Sequence, residues 1–194
     1  MRAIITFQGF TESDAYRTGT ENLYFQVTRM FSRGDILTTL PHPWTANVKT
    51  VAAQIARQGI RDVCVISYSH GQAAATDFIE ECYKLGITVN LWLACDPVYR
   101  PGWLPRKNFF QPLSFQSLTR RIKIKAPKGV SRISYVTQGV KWPFGHEIQP
   151  FDENTRTERL VLHSPHTSID EHPQWFELVE KELEGWANPP KATL

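Results

Sequence analysis

Apolar and polar positions follow two rhythms along the chain. Short runs rich in β-branched residues, such as Ala3-Ile4-Ile5-Thr6-Phe7 and Val63-Cys64-Val65-Ile66, are separated by stretches whose apolar residues recur every three or four positions. The first rhythm suits strands covered on both faces, and the second suits helices that lay one stripe on a sheet. It predicts strands near Ala3–Gln8, Asp35–Leu40, Asp62–Ser67, Thr88–Cys95, Arg132–Thr137 and Arg159–His163, and helices at Glu21–Ser32, Ala46–Gln58, Gly71–Leu85 and Gln174–Trp186. In the second helix Val48, Val51, Ala52 and Ile55 form the stripe, and Gly59 ends it. Strands alternating with crossover helices imply a three-layer α/β sandwich around a mostly parallel central sheet of about six strands.

Two stretches break the alternation. Residues 99–129 carry four prolines, the aromatics Trp103, Phe109, Phe110 and Phe115, and a run of bases. Because they leave the end of a predicted strand, they are expected to form an insertion at about 99–130, lid-like or at the sheet edge. Residues 139–157 have no period and read as a loop. Within Arg120-Arg121-Ile122-Lys123-Ile124-Lys125, base and apolar residue alternate, the pattern of a solvated edge strand, or else of a docking face for an anionic polymer or headgroup. The segment Glu21–Gln26 matches the recognition sequence of a viral protease used to remove tags, yet Leu23, Val27, Met30 and Phe31 carry a helical stripe through and beyond it.

Composition narrows the class without changing the fold. A chain of 194 residues suits one domain spanning 1–194, and 41% hydrophobic with 21% charged residues is ordinary for a soluble globular protein. No apolar run approaches membrane-spanning length. A net charge of +3 is too mild to name nucleic acid as a partner. Cys64, Cys82 and Cys95 fall inside predicted elements, so buried thiols in a reducing, cytoplasmic setting are expected, and residues 3–7 read as a strand and not a leader. With neither zinc-like spacing nor a phosphate loop, no cofactor is expected.

The chemistry gathers at Ser67-Tyr68-Ser69-His70-Gly71, where an apolar strand runs into a serine and then into a helix of small residues. A serine hydroxyl needs a base to take its proton and a third group to orient that base. Partners in a parallel sheet collect at the C-terminal strand ends. Asp96 ends the next strand and is stopped by Pro97, and His166 follows the last strand before the C-terminal helix. His163 is the rival base; His42, His146 and His172 sit in loops with no strand to aim them. Two backbone N–H donors are needed for an oxyanion, and His70 and Phe10, the latter after Gly9 at the end of the first strand, are the candidates.

These residues together resemble the α/β-hydrolase superfamily, in a compact version without the first strands, over Ala3 to about Trp186. The order Ser69, Asp96, His166 is the order Ser…Asp…His of that fold. The resemblance implies a nucleophile elbow at 67–71, an oxyanion loop at Gly9-Phe10 and a histidine loop at His166. There are two departures. Ser67 stands where the elbow usually has glycine, and the acid follows the strand beside the nucleophile instead of the one after, which leaves Asp152 and Glu147 as alternative acids. The implied activity is a cofactor-free serine hydrolase acting on a small-molecule or lipid-like ester, or on a thioester or amide; the alternative is a non-catalytic binding module on the same fold.

Overall fold

The computed structural model describes residues 1–10, 18–32, 34, 36–99, 122–139 and 145–189. In chain order the elements are β1 (Arg2–Phe7), α1 (Gly19–Met30), β2 (Ile36–Thr38), α2 (Val48–Arg57), β3 (Asp62–Tyr68), α3 (Gly71–Lys84), β4 (Thr88–Cys95), β5 (Ile124–Lys125), β6 (Arg132–Gln138), β7 (Ile148–Gln149), β8 (Arg156–Leu162), a 3-10 turn (Ile169–Glu171) and α4 (Pro173–Ala187). Six strands form one sheet in the order β2-β1-β3-β4-β6-β8, with every pairing parallel. The order turns back at β1, which has β2 on one side and β3 on the other. A crevice beyond the C-terminal strand ends at such a point is the usual ligand position in open parallel sheets.

Alternate strand residues build two cores, one on each face. Ile5, Phe7, Val63, Val65, Trp92 and Ile133 face α2 and α3, meeting Ala52, Ile55, Phe78 and Ile79. Ile4, Cys64, Ile66, Leu93 and Val136 face α1 and α4, meeting Leu23, Val27, Trp175, Val179 and Leu183. Each fully buried aliphatic side chain contributes about 1.5–3 kcal/mol. The β3–β4 register shifts between Val63 and Cys64, which leaves Asn90 as an extra residue in β4 and sends its amide to Asp62 at 2.9 Å. Helices α1, α2 and α4 start on the side-chain caps Thr18, Asn47 and His172. Helix α3 begins instead straight from the Ser69–His70 turn, with no side-chain cap.

The expected α/β architecture is therefore present, with differences at its margins. The strand expected over 35–40 is three residues long, because β2 is an edge paired only with β1. The 139–157 segment is not wholly loop: Ile148–Gln149 pairs with Ile124–Lys125 in a separate two-stranded sheet, and β8 already starts at Arg156. Pairs of two residues are too short to leave a period. Lys123 is committed to an ion pair with Glu147 at 3.0 Å, and Ile124 is buried. Segment 21–26 lies within α1 with Leu23 in the core and the Gln26 amide on Glu180 of α4, so it is an integral part of the fold. All three cysteines are buried thiols, none of them in a disulfide. Most of the 99–130 stretch, with Trp103, Phe109, Phe110 and Phe115, lies outside the described residues, as do Arg120 and Arg121.

Candidate active site

Ser69 sits one residue past β3 with φ of 51°, and Asp96 one residue past β4 with φ of 41°. Among the described residues these are the two non-glycine positions in the left-handed region. Such backbone costs on the order of 1–3 kcal/mol per residue and persists where the surroundings over-determine it. Here they do. The Ser69 N–H donates to the Cys95 carbonyl at 3.0 Å, the Val98 N–H to the Ser69 carbonyl at 3.1 Å, and the Asp96 N–H to the Val136 carbonyl at 2.9 Å. Helix α3 can leave this turn so steeply because of Gly71, where a Cβ would lie 2.5 Å from the carbonyl oxygens of Phe7 and Gln8.

The side chains then converge. Ser69 Oγ lies 2.8 Å from His166 Nε2, and His166 Nδ1 lies 2.5 Å from Asp96 Oδ2. Asp96 is fully buried and the His166 side chain is 10% exposed. The other carboxylate oxygen of Asp96 accepts the Gln138 N–H at 2.9 Å, at the end of β6. A carboxylate only accepts, so Nδ1 of His166 carries the proton donated to Asp96, and Nε2 is left to accept the serine O–H. Gly145 packs against the acid: a Cβ there would fall 1.8 Å from Asp96 Oδ1.

Phe10 and His70 are both brought to the Ser69 turn. A Cβ on Gly9 would lie 3.2 Å from Ser69 Cβ, and the Phe10 and His70 rings stand 5.9 Å apart with Trp44 against both. The His70 ring is also close to the hydroxyl, with Nδ1 3.4 Å from Ser69 Oγ.

The rival residues are occupied elsewhere. His163 is exposed. His172 caps α4. His42 is held by a bridge to Phe7, and burial pulls its imidazole below the usual histidine range. His146 is buried and accepts the Tyr99 N–H at 3.1 Å. Glu147 pairs with Lys123 and Arg159, which hold its carboxyl below the usual range, and Asp152 accepts N–H groups of its own turn. The departure at Ser67 also has a local cause: its buried hydroxyl accepts the Trp92 indole N–H at 3.0 Å, a bond that glycine would leave unmade.

Sequence reasoning missed four contributors here. Gln138 acts through its backbone, which no residue type advertises. Gly145 lies in a stretch without period. Trp44 and Tyr68 carry no pattern that marks them, and for Tyr68 its place directly before the serine was the one available signal. Among the described residues no group of three or more His, Cys, Asp or Glu is arranged to hold a metal ion, and no helix is long and apolar enough to cross a membrane.

No family model matches the chain, and neither does any curated protein. Solved structures do match. The type II thioesterase BorB from the borrelidin biosynthetic cluster is 9% identical with a TM-score of 0.52, over 94% of this chain and 92% of that one. SrfTE, the thioesterase domain in the cyclization of the lipopeptide antibiotic surfactin, is 12% identical with a TM-score of 0.50, over 98% and 93%. The Vlm2 thioesterase domain bound with a dodecadepsipeptide is 12% identical with a TM-score of 0.50, over 93% and 91%. Identities this low speak to backbone architecture alone, and the architecture matched, a six-stranded parallel sheet flanked by helices, is the α/β-hydrolase fold.

Proposed function

We propose that the protein is a serine hydrolase that cleaves an ester or thioester through an acyl-enzyme. The observation that carries this reading is the unbroken contact from Ser69 Oγ through the His166 imidazole to the buried Asp96 carboxylate. Ser69 attacks the acyl carbon while Nε2 of His166 takes its proton; Asp96 holds the ring and balances the imidazolium charge. The backbone N–H groups of Phe10 and His70 receive the oxyanion, each such donor lowering the barrier by roughly 3 kcal/mol. His166 then protonates the departing alcohol or thiol, and water enters by the same route to release the acid. The partly exposed Phe10 and Trp44 rings beside His70 suit an apolar acyl group. Thioesterase neighbours in the fold comparison favour including thioesters among the substrates.

A fluorophosphonate probe tests the reading. It is expected to label the wild-type protein and not Ser69→Ala, and hydrolysis of p-nitrophenyl esters and of acyl thioesters should fall by at least about four orders of magnitude in the variant. A folded wild-type protein that neither labels nor hydrolyses any of these would make the chain a binding module on a hydrolase scaffold.

A further inference from the structure

Tyr68, the last residue of β3, directly precedes Ser69 and touches both the His166 loop and the Gly9 turn. It lies on the α1 and α4 face of the sheet and is 6% exposed. Its hydroxyl donates to the His166 backbone carbonyl at 2.5 Å. Its ring is stacked on the His166 imidazole, with centroids 5.4 Å apart and planes 26° from parallel. The Gly9 turn packs against the same ring, close enough that a Cβ there would sit 2.8 Å from Tyr68 Cδ1.

We propose that Tyr68 is a positioning residue that holds His166 in register with Ser69, an assignment that rests on His166 acting as the base. The physical case has two parts. His166 stands on a loop between β8 and α4, and the hydroxyl bond fixes where that loop sits relative to β3. The stacked ring fixes the imidazole plane, so that Nε2 meets the serine while Nδ1 meets Asp96. Displacements of about 1 Å at such a junction cost about a hundredfold in rate. The same ring face lies beside the positive charge that appears when Nε2 takes the serine proton, an interaction stronger in the transition state than before it. Because Tyr68 directly precedes Ser69 in the chain, a single strand end sets both nucleophile and base.

The test is a double-mutant cycle with ester hydrolysis, fluorophosphonate labelling and thermal melts. Tyr68→Phe keeps the ring and loses the hydroxyl, and is expected to lower kcat about tenfold with KM changed less than about twofold. Tyr68→Leu loses both, with a fall of about a hundredfold. In a His166→Ala background either change is expected to alter the residual rate by less than about twofold, since a residue acting through His166 has nothing left to position. Unchanged kcat in a folded, labelled Tyr68→Phe protein overturns the assignment, as does an equal loss in both backgrounds. A folded wild type that fails to label overturns the hydrolase reading itself, which keeps the two failures apart.

Discussion

Asp96 and Asp62 are carboxylates at opposite rims of one sheet, and they are held in different ways. Asp62, at the start of β3, accepts from Asn90 and the Trp186 indole and is paired with Arg2 at 3.1 Å. Its main partner carries a permanent charge, its side chain is 26% exposed and its backbone is relaxed. This is a fastener: Arg2 also reaches the Ala187 carbonyl and the Trp186 ring, tying β1, β3 and the end of α4 together. Asp96, past the end of β4, has no exposure, a left-handed backbone, and a titratable imidazole as its partner. Its hydrogen bonds offset a cost that a relaxed apolar residue would not carry, that of burying a carboxylate on left-handed backbone. Such an arrangement suits the role proposed above for Asp96, orienting an imidazole and balancing its charge.

The comparison breaks most decisively through paired substitutions at these two sites. Asp96→Asn is expected to lower ester or thioester turnover about 10⁴-fold with little change in melting temperature. Asp62→Ala should do the reverse, leaving kcat within about twofold while costing about 1–3 kcal/mol of stability, because the Trp186 N–H and Arg2 lose their acceptor. Denaturant melts and initial rates on the same preparations measure both. A loss of turnover at Asp62 or of stability alone at Asp96 would erase the distinction.

Gly145→Ala sharpens it with a smaller effect. The added methyl would overlap Asp96 Oδ1, so the carboxylate must rotate away from His166, and a loss in kcat of about a hundredfold with nearly unchanged stability is expected. The smallest effect concerns a histidine near the same rim that has neither serine nor carboxylate. Burial disfavours the charged imidazole of His42 and lowers its pKa from the usual histidine value. Its folded-state pKa is lowered, so the stability it contributes is complete above about pH 6.5 and declines as pH falls below that value, where the unfolded chain takes up the proton first. His42→Gln should flatten that acid limb when melting temperatures at neutral and mildly acid pH are compared; an unchanged slope would show that His42 titrates alike folded and unfolded.

Much of the fold was legible because it rests on local patterns. The β1, β3 and β4 runs are buried on both faces, and the α2 stripe of Val48, Val51, Ala52 and Ile55 is the one in the core. Legibility failed where pairing is brief or edge-bound. The two-residue β7 leaves no period, β5 fills only Ile124–Lys125 of the edge strand read over 120–125, and the exposed β8 begins at Arg156, ahead of the start at Arg159 that its sequence suggested. At the site, Ser69 was readable from the turn it occupies, and Asp96 and His166 from their places after strands. The contributions of Gln138 and Gly145 were not, because one supplies only a backbone N–H and the other only the absence of a side chain.

Hydrophobic rhythm and turn chemistry by themselves determined a parallel sheet with helices on both faces and a serine at the sharp end of one strand, since those depend on neighbours within a few residues. Only the tertiary structure decided among the candidate histidines and carboxylates, bringing His166 and Asp96 to that serine and not His163, Asp152 or Glu147, and showed that Tyr68 reaches the His166 loop. Residues 69, 96 and 166 are brought together by strand order and by the path of a loop after β8, and contacts across such sequence distances leave no periodic trace in the chain.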